Sequence, residues 1–264
     1  MPTSAPTASG STAYESRHPR GRPRQPLAPF TSVIPKPLLP VGDTPILEII
    51  IRQLAYAGFD HITLTLGYLS AYFHAFIRQH RSLRRLARID FVVEEKPTGT
   101  AGSLASVPGL CDSFLVMNGD ILTSLDYRAL VEQHHTEKGL LTIGVCAKDV
   151  KLDLGVIHTS AAGQVTDYVE KPTLSYAVST GIYVYRDEVL SFIEPGEYLD
   201  FPSLVHRLLA AGKKVARYPS AARWLDLGRL DDLQRASEVF AKRRGEFLPD
   251  EEPRRKKKRL AAGA

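Results

Sequence analysis

The sequence predicts an α/β domain in which helices flank a mixed or parallel β-sheet on both faces. Three observations lead to this prediction. Helical and strand periodicities alternate through residues 46–146, as they do in β-α-β units. The run FLVM (114–117) is short, continuous and apolar, which is typical of a strand buried on both faces. From residue 156, short strand patterns with short connections follow, and they predict a strand-rich lid over the carboxyl edge of the sheet.

The elements are predicted from periodicity, in chain order. Residues 46–57 (ILEIIIRQLAYA) have the apolar spacing of a helix, and residues 61–66 (HITLTL) alternate with the period of a strand. The other helix patterns cover residues 69–79, 101–106, 126–137, 187–193, 201–211 and 229–243. The other strand patterns cover residues 89–93, 114–117, 141–146, 156–158, 165–170, 181–185 and 215–218.

The positive charge of the chain lies at its two ends. The 264 residues are 44% hydrophobic and 24% charged, which is ordinary globular composition and enough for a sizeable core. The net charge is +5, but residues 1–27 carry +3 and the run 254–259 carries +6, whereas residues 28–253 carry −4. Because the body of the chain is mildly acidic, we expect no nucleic-acid partner.

Three domain segments are expected. Residues 1–27 are rich in Pro, Ser, Thr and Arg and have no apolar periodicity, so we expect an irregular or disordered segment. Residues 28–246 contain the alternating patterns and form the predicted folded domain. Residues 247–264 are charged and small, and we expect a basic disordered tail.

Membrane and secretory segments are not expected. No run of 18 apolar residues predicts a transmembrane helix, and the N-terminus lacks the apolar stretch of a secretory signal. Cys111 and Cys146 are too few for a disulfide framework or a cysteine zinc site, so we expect the reduced cytoplasm. The sequence leaves open whether the chain forms a homo-oligomer.

Two aspartates are candidate metal ligands. Asp120 follows the buried strand and Gly119, so its carboxylate is expected at the carboxyl edge of the sheet; the alternative is a cap for the next turn. Asp226 alternates with Leu225 and Leu227, and taken alone a structural hydrogen-bonding role is favoured. Together the two aspartates would complete a magnesium site, which needs only one or two carboxylates plus phosphate oxygens from a substrate.

Two lysines and one small-residue segment are candidate phosphate or nucleotide contacts. Lys36 lies between two prolines that hold the backbone extended, and Lys171 precedes a proline at a strand end. The alternative for each is an exposed loop lysine. The segment TGTAG (98–102) permits close backbone approach to a flat ligand, although most such segments are turns.

Taken together, these segments resemble the sugar-phosphate nucleotidylyltransferases, and the likeness is greatest to the mannose-1-phosphate guanylyltransferase branch. The matching motifs occur in the order of that family and span about residues 28–240. They are PKPLLPVGDTPILE (35–48), EEKPTGTAGSL (94–104), VMNGDIL (116–122), LGVI (154–157), VEKP (169–172), STGIYVY (179–185), LDFPSLV (199–205) and WLDLGRLDDLQRA (224–236). The resemblance implies a Rossmann-like sheet with a sugar-binding lid.

The resemblance also implies a reaction, in which an NTP and a sugar 1-phosphate give an NDP-sugar and pyrophosphate. It implies that Asp120 and Asp226 hold Mg²⁺, that Lys36 neutralises the nucleotide phosphates, and that Lys171 holds the sugar phosphate. The remaining substrate-binding residues that it implies are Gly155, Glu170, Thr180 and Gly181 at the sugar, and Glu94, Gly99, Thr100 and Gly102 at the nucleobase. Asn118 and Gly119 are predicted to bind substrate as well.

The chemistry of Glu94 favours GTP as the nucleotide. An ionised carboxylate only accepts hydrogen bonds. Guanine offers two adjacent donors on its Watson–Crick edge, whereas uracil and thymine offer one. Together with the resemblance to the mannose-1-phosphate guanylyltransferase branch, this predicts GTP and mannose 1-phosphate as the substrate pair.

The N-terminus departs from the family pattern. The family begins with a central apolar strand and a loop of the form GGxGTRL, and residues 1–27 contain neither, so the first central strand is expected to be absent. Three interpretations are open. The chain is an active enzyme with an unusual N-terminus, or a catalytically impaired sugar-nucleotide-binding homologue such as a regulatory subunit, or a product whose start is truncated or frameshifted. The last is the favoured interpretation of the sequence.

Overall fold

The computed structural model describes the backbone of Thr7–Ser11 and, with side chains, residues 33–249 and 251. Its strands are β1 Thr7–Ser11, β2 Pro40–Val41, β3 Thr44–Pro45, β4 His61–Leu66, β5 Arg88–Val93, β6 Ser113–Met117, β7 Ile121–Thr123, β8 Leu141–Lys151, β9 Val156–Thr159, β10 Val165–Val169, β11 Thr173–Arg186, β12 Val215–Ser220 and β13 Trp224–Asp226. Its α-helices are α1 Ile46–Ala57, α2 Ser70–Gln79, α3 Leu83–Leu86, α4 Gly99–Gly102, α5 Tyr127–Glu137, α6 Phe201–Ala210, α7 Leu230–Lys242 and α8 Arg244–Phe247. Short 3₁₀ helices cover Lys36–Leu38, Ser103–Ser106 and Asp187–Phe192.

A seven-stranded mixed sheet forms the centre, in the order β12-β8-β11-β6-β1-β4-β5. Strands β6, β1, β4 and β5 are mutually parallel, and β12 is parallel to β8. Only β11 runs the other way, antiparallel to both β6 and β8. The predicted mixed or parallel α/β sheet is confirmed.

The sheet is buried on both faces, as the apolar run 114–117 predicts. Leu115 and Met117 pack into one hydrophobic cluster with helix α1. Phe114 and Val116, which alternate with them, pack into a second cluster that includes Leu204 of α6. Successive side chains of a strand point to opposite faces, so these two clusters lie on the two sides of β6.

The predicted absence of a first central strand is wrong. Thr7–Ser11 lies between β4 and β6 and is parallel to both, with Gly10 opposite Leu64 on one side and Met117 on the other. The segment TASGS contains no apolar alternation, so no periodicity indicates it. Backbone hydrogen bonds to two neighbouring strands decide its position, and any extended segment can form these bonds. The rest of the predicted irregular segment 1–27, and the expected site of the phosphate loop, lie outside the described residues.

Buried packing continues past residue 246, where the sequence predicts the end of the folded domain. Phe247 and Leu248 are fully buried in the cluster beneath α1. Glu251 accepts hydrogen bonds from Arg52 and Arg244, which fastens the chain beyond them. A single Phe-Leu pair among charged residues has no periodicity, which explains why composition assigned it to the tail. Residues 252–264 lie outside the described part of the chain.

Local signals fix the ends of several helices. Helix α1 stops at Gly58, which has φ +98°, and the N–H of Phe59 then bonds to the carbonyl of Leu54. Helix α5 begins at Asp126, whose carboxylate accepts hydrogen bonds from two backbone N–H groups of the first turn. The predicted helix 101–106 differs, because α4 begins at Gly99 and a 3₁₀ turn completes it.

Strands β8 and β11 continue beyond the sheet edge and carry the β9–β10 hairpin, which forms the predicted lid. Their outer parts, Ala147–Lys151 and Thr173–Ala177, remain paired but exposed. Because β8 runs parallel to β6, these arms project past the carboxyl edge of the sheet. Within the described residues, no helix has the length and hydropathy needed to cross a membrane.

Candidate functional site

Two short strands bring Asp120 and Asp226 together at the carboxyl edge of the sheet. Strand β6 ends at Met117, and the chain then turns through Asp120 into β7. Strand β13 pairs antiparallel with β7, which sets Asp226 opposite Ile121. The N–H of Leu227 donates to the carbonyl of Asp120 over 3.2 Å. The backbone therefore holds two carboxylates that are far apart in sequence side by side.

Lys36 is the cation of this cluster. Its Nζ lies 2.5 Å from Oδ2 of Asp120, and its side chain is only 12% exposed. The lysine opens a 3₁₀ turn in which the N–H of Leu39 bonds to its carbonyl, and the two flanking prolines, Pro35 and Pro37, are buried. The backbone at Lys36 is therefore a turn and not extended as its two prolines predict, and the ion pair with Asp120 holds the side chain.

The electrostatics of Asp226 reflect its neighbours. Partial desolvation raises the pKa of the Asp226 carboxyl, and the nearby charge of Asp120 raises it further. The charges of Lys36 and Lys148 act in the opposite direction and lower that pKa. Two neighbouring carboxylates that repel one another would be stabilised by a divalent cation bound to both.

The donor set fits Mg²⁺. Carboxylate oxygens are the ligands that Mg²⁺ prefers, and one or two of them suffice when substrate phosphates supply the remainder. Asp120 and Asp226 are two such carboxylates. Among residues 33–249 and 251, no group of three or more His, Cys, Asp and Glu side chains is placed to hold a metal.

Thr180, Gly181 and Asn118 lie at the same edge. The N–H of Asn118 donates to the carbonyl of Gly181 over 2.9 Å, and Trp224 Nε1 donates to the carbonyl of Thr180 over 2.8 Å. Gly181 has φ +73°, and a Cβ there would lie 2.7 Å from Nδ2 of Asn118. The close approach requires glycine at this position. Gly119 is buried within the turn.

The predicted nucleobase segment is built on the chain around Leu199. Thr100 Oγ1 accepts a hydrogen bond from the N–H of Phe201 over 2.8 Å. A Cβ at Gly99 would lie 2.5 Å from the carbonyl oxygen of Leu199, and at Gly102 an added Cβ would meet backbone equally closely. Glu94 accepts a hydrogen bond from the hydroxyl of Thr98. The structure thus shows what holds this segment, and its contact with a base stays a prediction.

The lid residues form a separate group. The hydroxyl of Tyr168 donates to Glu170 over 2.9 Å, and Lys171 Nζ lies 3.7 Å from the other Glu170 oxygen. Gly155 lies against the ring of Tyr168, where a side chain would collide with the hydroxyl. In the described part of the chain, no hydrogen bond or ion pair joins Gly155, Glu170 or Lys171 to the Lys36–Asp120 cluster.

Sequence reasoning missed Lys148. Its charge acts on Asp226 although it lies on β8, where it faces Tyr176 of β11. The signal available was the alternation in CAKDVK (146–151), which places Lys148 and Lys151 on opposite faces of the strand. The alternation does not say which of the two lysines faces the carboxylates.

One known protein family matches most of the chain. The model of the family described as Nucleotidyl transferase matches residues 25–243, which is most of the chain. The chain belongs to the nucleotidyl transferase family. The match includes every candidate site residue named above.

Two curated relatives are similar to most of the chain. The mannose-1-phosphate guanylyltransferase of Mycobacterium tuberculosis is 31% identical over 219 residues, which cover 80% of this chain and 60% of the relative. The UTP–glucose-1-phosphate uridylyltransferase of Synechocystis is 28% identical over 228 residues, which cover 79% of this chain and 58% of the relative. The chain therefore spans about 60% of the length of these curated relatives.

A solved structure has a fold similar to that of the chain. HddC from Yersinia pseudotuberculosis superposes with a TM-score of 0.67 over 89% of this chain and 99% of that chain, at 21% sequence identity. At that identity the likeness establishes the architecture. It confirms the mixed α/β sheet flanked by helices.

Proposed function

We propose that the protein transfers a nucleotidyl group from an NTP to a sugar 1-phosphate, which gives an NDP-sugar and pyrophosphate. The observation that carries this proposal is the cluster of Lys36, Asp120 and Asp226 at the carboxyl edge of the sheet. Ligands of open α/β sheets bind outside this edge. A lysine beside two carboxylates is suited to a reaction between two phosphate-bearing substrates.

The proposed reaction is an in-line displacement at the α-phosphorus of the NTP. An oxygen of the sugar phosphate forms the new P–O bond, and the bond to the β-phosphate oxygen breaks, so pyrophosphate leaves with the bonding electron pair. No covalent enzyme intermediate is required, and catalysis consists of positioning and charge neutralisation. Lys36 would place a positive charge beside the reacting phosphates, because its ion pair with Asp120 and its low exposure hold the side chain at the site.

Asp120 and Asp226 are the residues that would hold Mg²⁺. When bound, the ion would neutralise charge on the phosphate oxygens of both substrates. The ion pair with Lys36 fixes the position of the Asp120 side chain at the site. The raised pKa of Asp226 indicates that this carboxylate gains from a neighbouring cation.

The lid residues supply the proposed sugar-phosphate contacts. Lys171 and Glu170 lie on the exposed hairpin arm, so their charged groups are accessible to a ligand from solvent. In this proposal Lys171 binds the phosphate and Glu170 accepts hydrogen bonds from sugar hydroxyls. Gly155, Thr180 and Gly181 line the sugar pocket, and a closing movement of the arm would bring Lys171 toward the carboxylates.

GTP and mannose 1-phosphate are the proposed substrate pair. Glu94 follows β5 at the sheet edge and offers carboxylate oxygens that match the two adjacent donors of guanine. The Mycobacterium relative bears the name of a mannose-1-phosphate guanylyltransferase, whereas the Synechocystis relative bears that of a uridylyltransferase. We propose that the protein acts in the cytoplasm. The proposal does not depend on whether the chain forms a homo-oligomer.

The test is pyrophosphate release in the presence of Mg²⁺, with four NTPs crossed against several sugar 1-phosphates. The expected result is the highest kcat/KM with GTP and mannose 1-phosphate. A different base or sugar would overturn only the specificity. Binding of an NDP-sugar with no pyrophosphate release in any combination would instead establish the alternative, a catalytically impaired homologue.

The Asp120→Asn variant tests the chemistry. It keeps the shape of the side chain but removes its charge, so Mg²⁺-dependent turnover should be abolished while the fold stays intact. The matched control is Asp112→Asn, because Asp112 is exposed and lies at the opposite end of the same strand, β6. Undiminished turnover in Asp120→Asn would contradict the assignment.

A further inference from the structure

The chain around Leu199 forms the support on which the predicted nucleobase segment lies. The carbonyl of Leu199 accepts hydrogen bonds from the N–H groups of Ala101, at 3.0 Å, and Gly102, at 2.9 Å. The N–H of Leu199 in turn donates to the carbonyl of Thr98 over 2.8 Å. Three backbone hydrogen bonds therefore couple the position of residues 98–102 to the position of Leu199.

The backbone of residues 197–199 also packs closely against Gly99 and Gly102. An added Cβ at Gly99 would lie 2.5 Å from the Leu199 carbonyl oxygen, and one at Gly102 would lie 2.5 Å from the Glu197 carbonyl oxygen. Gly99 also has φ +81°, a conformation that favours glycine. With no side chain between the two segments, a shift of the Glu197–Leu199 backbone is transmitted directly to the nucleobase segment.

A bidentate ion pair holds this support. Arg207, on helix α6, donates from Nη2 to Oε1 of Glu197 over 2.5 Å and from Nη1 to Oε2 over 2.9 Å. The same Nη1 donates to the carbonyl of Phe192 over 2.7 Å, which ties the start of the loop to the helix. The Arg207 guanidinium holds the pKa of the Glu197 carboxyl below its usual range, so the pair stays charged at neutral pH.

The same chain of contacts reaches the predicted base acceptor. Thr98, whose carbonyl bonds to Leu199, donates its hydroxyl hydrogen to the carboxylate of Glu94. We propose that Glu197 and Arg207 are positioning residues for the nucleotide, because their ion pair sets the position of residues 94–102 and so the orientation of the Glu94 carboxylate. This inference rests on the proposed function, and it adds a determinant of nucleotide affinity and base selectivity that lies outside the catalytic cluster.

The test separates the two substrates kinetically. In Glu197→Gln, the KM for GTP should rise about fivefold, the upper range for a partly exposed ion pair, while kcat and the KM for mannose 1-phosphate stay unchanged. The preference for GTP over UTP should fall as well, because the Glu94 carboxylate loses its orientation. Arg207→Lys, which keeps the charge but loses the two-fold contact, should be intermediate.

A matched control removes a comparable ion pair elsewhere. Glu137 pairs with Lys214 over 2.8 Å at the end of α5, and Glu137→Gln should leave both KM values unchanged. A purely structural role for Glu197 would lower the melting temperature and change both KM values alike, which would overturn the inference. Unchanged KM for GTP in Glu197→Gln would also overturn it.

A binding measurement keeps this inference distinguishable from the proposed function. If the wild-type protein releases no pyrophosphate with any substrate pair, the proposed catalytic function fails. GTP affinity measured by calorimetry would then decide the present inference, with a Kd about fivefold weaker in Glu197→Gln than in the wild type. Turnover in the wild type with identical nucleotide affinity in the variant would reject the positioning role alone.

Discussion

The Nζ of Lys36 lies 2.5 Å from Oδ2 of Asp120, and this ion pair joins a proline-flanked turn to the end of the central strand β6. Asp226 lies beside it, because β13 pairs with β7 directly after Asp120. The Lys36 side chain is only 12% exposed, so its charge needs a compensating charge, which Asp120 supplies. The Lys36–Asp120 ion pair therefore both stabilises this edge of the sheet and positions two of the proposed catalytic side chains.

Replacing Lys36 by methionine should lower kcat about a hundredfold, because one fixed charge beside the reacting phosphates is lost. The KM values should change less than kcat. The measurement is steady-state pyrophosphate release with GTP and mannose 1-phosphate. Lys242→Met is the control, since Lys242 is exposed on α7 and should leave the rate unchanged. Equal rates in the two variants would show that Lys36 has no role in turnover.

Replacing Gly181 by alanine should destabilise the protein by two effects. The left-handed backbone, with φ +73°, costs about 1–2 kcal/mol for a residue with a Cβ, and the new methyl group would collide with Asn118 and Ile121. Gly212→Ala isolates the first effect, because Gly212 has φ +67° and nothing within 4 Å of its added Cβ. Urea unfolding should show the larger loss for Gly181→Ala. Equal losses would mean that the edge relaxes around the methyl group.

His134 should make stability dependent on pH. Burial lowers the pKa of His134 to about 4, from an ordinary value of 6.5. Its Nδ1 lies 2.8 Å from the hydroxyl of Thr142, and within the described residues its Nε2 has no hydrogen-bond partner. Below pH 6.5 His134 is protonated in the unfolded chain, whereas in the native state it stays neutral until the pH approaches 4. Stability is therefore complete above pH 6.5 and falls, by about 1.4 kcal/mol per pH unit, as the pH drops toward 4.

The His134→Gln variant removes this dependence. The difference in unfolding free energy between wild type and variant should shift by about 2 kcal/mol between pH 7 and pH 5, in the direction that disfavours the wild type at low pH. Because all other titrating groups are common to both proteins, their contributions cancel. Parallel stability profiles over this range would show that the native state admits the proton.

Phe247 should contribute strongly to stability although it lies in a segment that composition assigns to the tail. Its side chain is fully buried beside Phe240, with ring centroids 5.9 Å apart. Phe247→Ala should cost about 3–5 kcal/mol in unfolding free energy. Leu209→Ala, at a leucine that is 54% exposed, should stay within about 0.5 kcal/mol of the wild type. A small effect at Phe247 would show that its burial contributes little to stability.

Local patterns predicted much of the fold. Helix α1 and strand β4 have the bounds expected from residues 46–57 and 61–66, because their apolar periodicity and the stop at Gly58 are local properties. Ordered motifs likewise identified Lys36, Asp120 and Asp226 as candidates. The structure then placed these three residues in one cluster.

Long-range pairing was beyond the reach of the sequence. Strands β7 and β13 have three residues each, too few to show a period, yet their pairing brings Asp226 to Asp120. The burial of Phe247 and the backbone pairing of Thr7–Ser11 likewise depend on partners distant along the chain. The sequence by itself determined the element types, the family motifs and the candidate residues, because each periodicity and each motif is contained within one short segment of the chain. Only the tertiary structure decided which of those residues meet, because hydrogen bonds and burial between distant segments leave no periodic trace in either one.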